Sequence, residues 1–118
     1  MNEEELKAKV DYEFSHRFNH TLHAYIDISD DLIAGTLLSQ IMFWFSETKD
    51  KKRKIRIYKD GNYWLAKGRE EWVNEIRISK KQYDNAIKKL KEKKFVETKL
   101  FKFNGVPTTH IRPIYENI

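Results

Sequence analysis

The segment Ser79-Lys80-Lys81-Gln82-Tyr83-Asp84-Asn85 concentrates side chains able to read the edges of bases. The carboxamides of Gln82 and Asn85 are of the type that pairs bidentately with adenine, and lysine can donate to guanine acceptors. Lys88 and Lys89 follow one turn later, spaced for phosphate oxygens. A second group lies downstream: Lys99, Lys102, Asn104, Thr108, Thr109, His110 and Arg112. Such basic, amide and hydroxyl groups suit nucleic-acid backbone or minor-groove contacts. Residues 79–112 hold 10 basic and 3 acidic side chains, net +7. A lysine run alone is usually a solvated face, so the elements around it must decide its meaning.

Other chemistry finds less support. The chain has no cysteine, which excludes thiol catalysis and Cys-based metal sites. His16, His20 and His23 fall at spacings of four and three, but no His-Glu-x-x-His pattern completes a site. Trp44, Trp64, Trp72 and Tyr63 could stack bases. They fall on apolar faces or within a predicted hairpin, and core packing is the expectation for all four. The sequence shows no phosphate-binding loop, dinucleotide fingerprint or serine elbow. No enzyme activity, cofactor or metal is expected.

Charge is unevenly spread over the 118 residues. Residues 1–31 hold 3 basic and 8 acidic groups, while residues 32–118 hold 20 basic and 10 acidic. The pattern suggests a polyanion-binding body with a differently charged arm. The longest apolar stretch, Ile41-Met42-Phe43-Trp44-Phe45, is far short of a membrane span. The acidic N-terminus is unlike a signal peptide. A soluble, cytoplasmic, single-domain protein is expected, with no membrane partner.

The positioning elements follow from periodicity. Residues 1–18 read as a partly helical arm with Leu6, Val10 and Phe14 in one stripe. Residues 23–28 have a β-like cast and predict a short strand or extended lead-in. Ser29-Asp30-Asp31 predicts a helix start, with Ser29 as cap and a helix over 30–47. Gly35, costly inside a helix, suggests close approach by a neighbour. Ile55 and Ile57 alternate with charged residues, and Asp60-Gly61 predicts a hairpin turn. A short helix over 68–76 leads to the tight turn Arg77-Ile78-Ser79, with Ser79 as the next N-cap. Tyr83, Ala86, Ile87 and Leu90 then share one face of a helix over 79–94. A second hairpin follows about Asn104-Gly105, with Pro113 expected on an edge strand. The fold class is therefore α+β: a winged helix-turn-helix over 29–118 with a β-hairpin wing, behind an N-terminal helical arm over 1–28. In such a unit the second helix lies in the major groove.

Several of these segments carry a family resemblance. They are Leu37-Leu38-Ser39-Gln40-Ile41-Met42-Phe43-Trp44, Tyr63-Trp64-Leu65-Ala66-Lys67 with Glu71-Trp72, the helix from Ser79, and Lys102-Phe103-Asn104-Gly105-Val106-Pro107-Thr108-Thr109-His110-Ile111-Arg112. Together they resemble the winged-helix domain of replication proteins from phages and plasmids of Gram-positive bacteria, the replisome-organiser and DnaD-like initiation proteins. The resemblance covers about residues 19–115. It implies binding of double-stranded DNA in replication initiation, often as an oligomer, with a separate C-terminal module that recruits the helicase loader. No counterpart of that module falls within the 118 residues, so only the winged helix is carried over. Two other roles suit the same fold: a protein-protein or oligomerisation module of a replisome, and a small transcriptional regulator.

The helix over 30–47 is apolar on more sides than a small core can cover. Leu38, Met42, Phe43 and Phe45 exceed what a three-helix core needs, which predicts a dimer or larger homo-oligomer. The competing arrangement is that residues 6–28 fold back over this helix within one chain.

Overall fold

The computed structural model describes residues 2–5, 8, 19–46 and 54–118. The expected stripe Leu6–Val10–Phe14, His16 and most of the loop over 48–54 lie outside the described residues. At the start of the chain, Glu3 to Glu5 are helical, and Asn2 Oδ1 accepts the Glu5 amide at 2.8 Å.

Helix α1 spans Asn19–Ser29, so residues 23–28 are helical and not a strand. The reason is tertiary. α1 packs along α2, Leu32–Phe45, with Tyr25 against the core. A Cβ on Gly35 would collide with the Ile26 backbone, lying 2.7 Å from its amide nitrogen. Only glycine lets the two helices come this close, and that packing overrides the β-like local preference.

The cap of α2 also differs from expectation. Asp31, not Ser29, is the N-cap, and its Oδ2 accepts the Ala34 amide at 2.8 Å. Asp30 takes the left-handed conformation (φ 54°) between the two helices, and Ser29 ends α1 as a buried residue. α2 stops at Phe45, where Ser46 closes it, rather than at residue 47.

Strands β1 (Ile57–Lys59) and β2 (Asn62–Ala66) form the first hairpin about Asp60-Gly61. Both turn residues have positive φ, 53° and 78°, as a two-residue hairpin loop requires. α3 (Arg69–Ile76) ends at Arg77 in the left-handed region, and α4 (Lys80–Glu92) begins after Ser79. β3 (Val96–Phe103) and β4 (Val106–Pro113) turn about Asn104-Gly105, again with positive φ, 53° and 80°. The antiparallel sheet has the order β1-β2-β4-β3. β4 is thus an inner strand, and Pro113 is harmless there because it is the last residue of the strand. The architecture is α+β.

The main core joins Leu37, Leu38 and Ile41 of α2, Trp72 of α3, Tyr83, Ala86 and Leu90 of α4, and Leu65, Val96 and Ile111 from one face of the sheet. Leu38 is fully buried within the chain. Residues 19–29 pack against α2, while nearly all of 6–18, the rest of the expected fold-back segment, lies outside the described residues. Leu32 and Phe43 remain exposed.

Candidate nucleic-acid interface

α3 and α4 are joined by Arg77-Ile78-Ser79, with Ile78 packed on the core. Ser79 Oγ accepts the Gln82 amide at 3.0 Å, and Gln82 Oε1 accepts the Ser79 amide at 2.8 Å. Ser79 is the expected cap; the Gln82 half was missed, although the Ser-x-x-Gln spacing is the signal for this reciprocal capping box. It commits the Gln82 carbonyl oxygen to the helix start, although that carboxamide was expected to face a base.

The buried side of α4 is Tyr83, Ala86 and Leu90, with Ile87 beside them. Burial, with a smaller push from the Asp84 charge, raises the Tyr83 phenol to about 12. The outward side is Lys81, Asn85 and Lys88, at offsets 0, 4 and 7, all exposed. None of the three joins an ion pair among the described residues. The flanks are tied to acids: Lys80 to Glu70 at 3.2 Å, Lys89 to Asp31 at 3.3 Å, Lys93 to Asp30 at 3.3 Å, and Arg69 to Asp84 at 3.1 Å. Solvent-exposed pairs such as Lys80–Glu70 are weak, whereas Asp31, the partner of Lys89, is half-buried. Asp31 has its carboxyl held below the usual range, chiefly by the Ala34 amide, with Lys89 adding to it.

The second expected group divides between the two faces of the β3–β4 hairpin. The register pairs Glu97 with Arg112, Lys99 with His110 and Phe101 with Thr108. Cross-strand partners share a face. Lys99, Thr108, His110 and Arg112 therefore lie on the face away from the helices. Lys102 and Thr109 lie on the other, and Asn104 is in the exposed turn. Thr98 and Thr109 line a cleft of about 300 Å³ with Arg69, Tyr83, Asp84, Ile87 and Lys91. This cleft places one side of α4 beside the hairpin.

His110 is not an exposed contact. It is fully buried, its Nδ1 is 2.8 Å from the Thr108 carbonyl, and its ring stands edge-on to Phe101 at 5.2 Å and Phe103 at 6.3 Å. The first hairpin explains the burial. Its tip folds over this face, where Lys59 Nζ donates to the Lys102 carbonyl at 3.2 Å and Asp60 meets Lys99 at 3.7 Å. Trp64 is enclosed there, away from the main core, with Phe101 edge-on at 5.3 Å and its indole N–H on the Lys59 carbonyl at 2.9 Å.

Arg112 and Lys99 roof the tryptophan at 5.7 and 5.8 Å. Arg112 also binds Glu97 through Nε at 2.8 Å and Nη2 at 2.7 Å, and is only 21% exposed. Thr108 donates to the Val106 carbonyl at 3.1 Å. Of the expected hairpin contacts, Lys102, Asn104 and Thr109 are the exposed ones with no such structural commitment. Tyr63 differs from expectation as well: it is exposed, 4.9 Å edge-on to Tyr58. Trp72 is in the core, and Trp44 gives its N–H to Glu75 at 3.1 Å.

No family model, curated protein or solved structure matches the chain. Among the described residues no group of three or more His, Asp or Glu is placed to hold a metal ion. No helix there is long and apolar enough to cross a membrane.

Proposed function

We propose that the chain is a winged helix-turn-helix module that binds double-stranded DNA, with α4 in the major groove and the β3–β4 hairpin as wing. The observation that carries this reading is the outward strip Lys81–Asn85–Lys88. It holds two lysines without acidic partners about a carboxamide, on the helix that follows a capped tight turn. The lysines supply sequence-independent attraction to phosphates, and Asn85 supplies the group that can discriminate adenine. Lys80 and Lys89 extend the footprint on either side. Lys102, Asn104 and Thr109 add wing contacts.

The resemblance described above supports replication initiation of a phage or plasmid, in the cytoplasm, as the setting. The role is recognition and positioning rather than catalysis. Binding-site selection from a random duplex library tests the reading. Enrichment of one motif supports sequence-preferring binding, and failure to retain any duplex overturns it.

A second reading rests on Ile28 and Leu32, exposed apolar residues at the α1–α2 junction. They favour pairing with a second copy of the chain or with a replisome protein. Such pairing would array two α4 helices on adjacent half-sites.

A further inference from the structure

The strand ends that flank the Asn104-Gly105 turn of the β3–β4 hairpin are apolar yet exposed. Phe103 and Val106 face each other across Asn104-Gly105 and are 42% and 61% exposed. Leu100, on the other face, is 68% exposed. The tip is also braced. Its two turn residues hold the positive φ values of a tight two-residue loop. Behind Phe103 stands the buried His110 ring, itself held edge-on by Phe101. Lys59 grips the Lys102 carbonyl from the first hairpin. The fully buried imidazole is thus a backstop for an exposed phenyl ring.

The charge around the tip selects the partner. From Thr98 to Tyr115 the chain carries Lys99, Lys102 and Arg112 and no aspartate or glutamate. Lys99 and Arg112 are paired with Asp60 and Glu97, while Lys59 and Lys102 beside the tip join no ion pair among the described residues. An apolar point with net positive charge about it fits a polyanion with an apolar interior, and stacked base pairs between phosphates are such a target.

We infer that the hairpin tip is a wedge: Phe103, backed by His110 and paired with Val106, enters a base step of duplex DNA from the minor groove and kinks it. This rests on the duplex-binding reading and adds deformation to it. Wedges of this type bend DNA by about 20–90°. The bend would favour flexible pyrimidine–purine steps without any base-edge hydrogen bond from the wing.

The test uses the full chain and a selected duplex carrying dyes at both ends and 2-aminopurine at successive positions. Wild-type protein should shorten the end-to-end distance and raise 2-aminopurine emission at one step. The double variant Phe103→Ser/Val106→Ser should still bind, with the same salt dependence, yet leave the duplex straight and the probe stacked. Phe103→Leu should keep most of the bend. Circular dichroism of the serine variant checks that the exposed tip was changed without loss of fold. A straight duplex in the wild-type complex, or equal bending by the serine variant, overturns the wedge and leaves duplex binding standing. Absence of any wild-type binding to duplex removes both readings together.

Discussion

Ser79 and Gln82 exchange two hydrogen bonds, each side chain accepting from the other's backbone amide, at 3.0 and 2.8 Å. The first turn of α4 is thereby fixed before any ligand arrives. Gln82→Ala should lower stability by about 0.5–1 kcal/mol by opening one side of this box. Gln82→Glu should keep the cap and the melting temperature but weaken DNA binding, because it adds a negative charge beside the phosphates. Thermal unfolding and anisotropy titrations of the two variants separate these effects. Equal melting temperatures for wild type and the alanine variant would deny the cap its role.

Arg112 and Lys102 should behave as opposites. Arg112 roofs Trp64 and binds Glu97, so Arg112→Ala should cost stability, about 1–2 kcal/mol. Lys102 has an exposed side chain, so Lys102→Ala should leave stability within about 0.5 kcal/mol and lower affinity on every sequence alike. Urea denaturation beside duplex binding checks both, and a destabilised Lys102 variant would contradict the face assignment.

The elements were legible because their signals are local. Tyr83, Ala86, Ile87 and Leu90 repeat at helical spacing, and Asp60-Gly61 and Asn104-Gly105 specify hairpin turns whatever surrounds them. The failures were tertiary. Residues 23–28 look β-like until Gly35 brings α1 against α2. The second hairpin alternates visibly, but alternation alone does not say which parity faces the helices. Nor does it show that the first hairpin folds over the other face. That fold-over buries His110 and gives Lys99 and Arg112 to Trp64. On α4 the basic residues were visible, while the division into free and acid-paired lysines depends on Glu70, Asp30 and Asp31 from other elements.

Gly35→Ala should destabilise the domain although alanine is the better helix former. The propensity gain of about 1 kcal/mol is opposed by collision with the Ile26 backbone, which cannot rotate away. Overpacking of this kind costs about 1–3 kcal/mol, so a net loss is expected. A raised melting temperature would contradict the close crossing of α1 and α2.

Asp31 should contribute a pH-dependent share of stability. Its folded carboxyl is lowered, first by the Ala34 amide and then by Lys89. A depressed acid stabilises above its unfolded value, about 3.9, and loses that contribution as pH falls through the lower folded value. Asp31→Asn should keep most of the cap and flatten this part of the stability profile below about pH 4. Denaturation curves at pH 3 and pH 7 measure the difference, and an unchanged pH dependence in the variant would refute the assignment.

The central claim is that the outward strip of α4 engages duplex DNA. The most direct measurement is the salt dependence of duplex binding by wild type and by Lys81→Ala/Lys88→Ala. Each neutralised phosphate contributes about −0.9 to the slope of log K against log salt. Wild type should give a slope steeper than about −3, and the double variant should be shallower by about 2, with an unchanged melting temperature. A flat salt response, or the same slope in both proteins, would contradict the account.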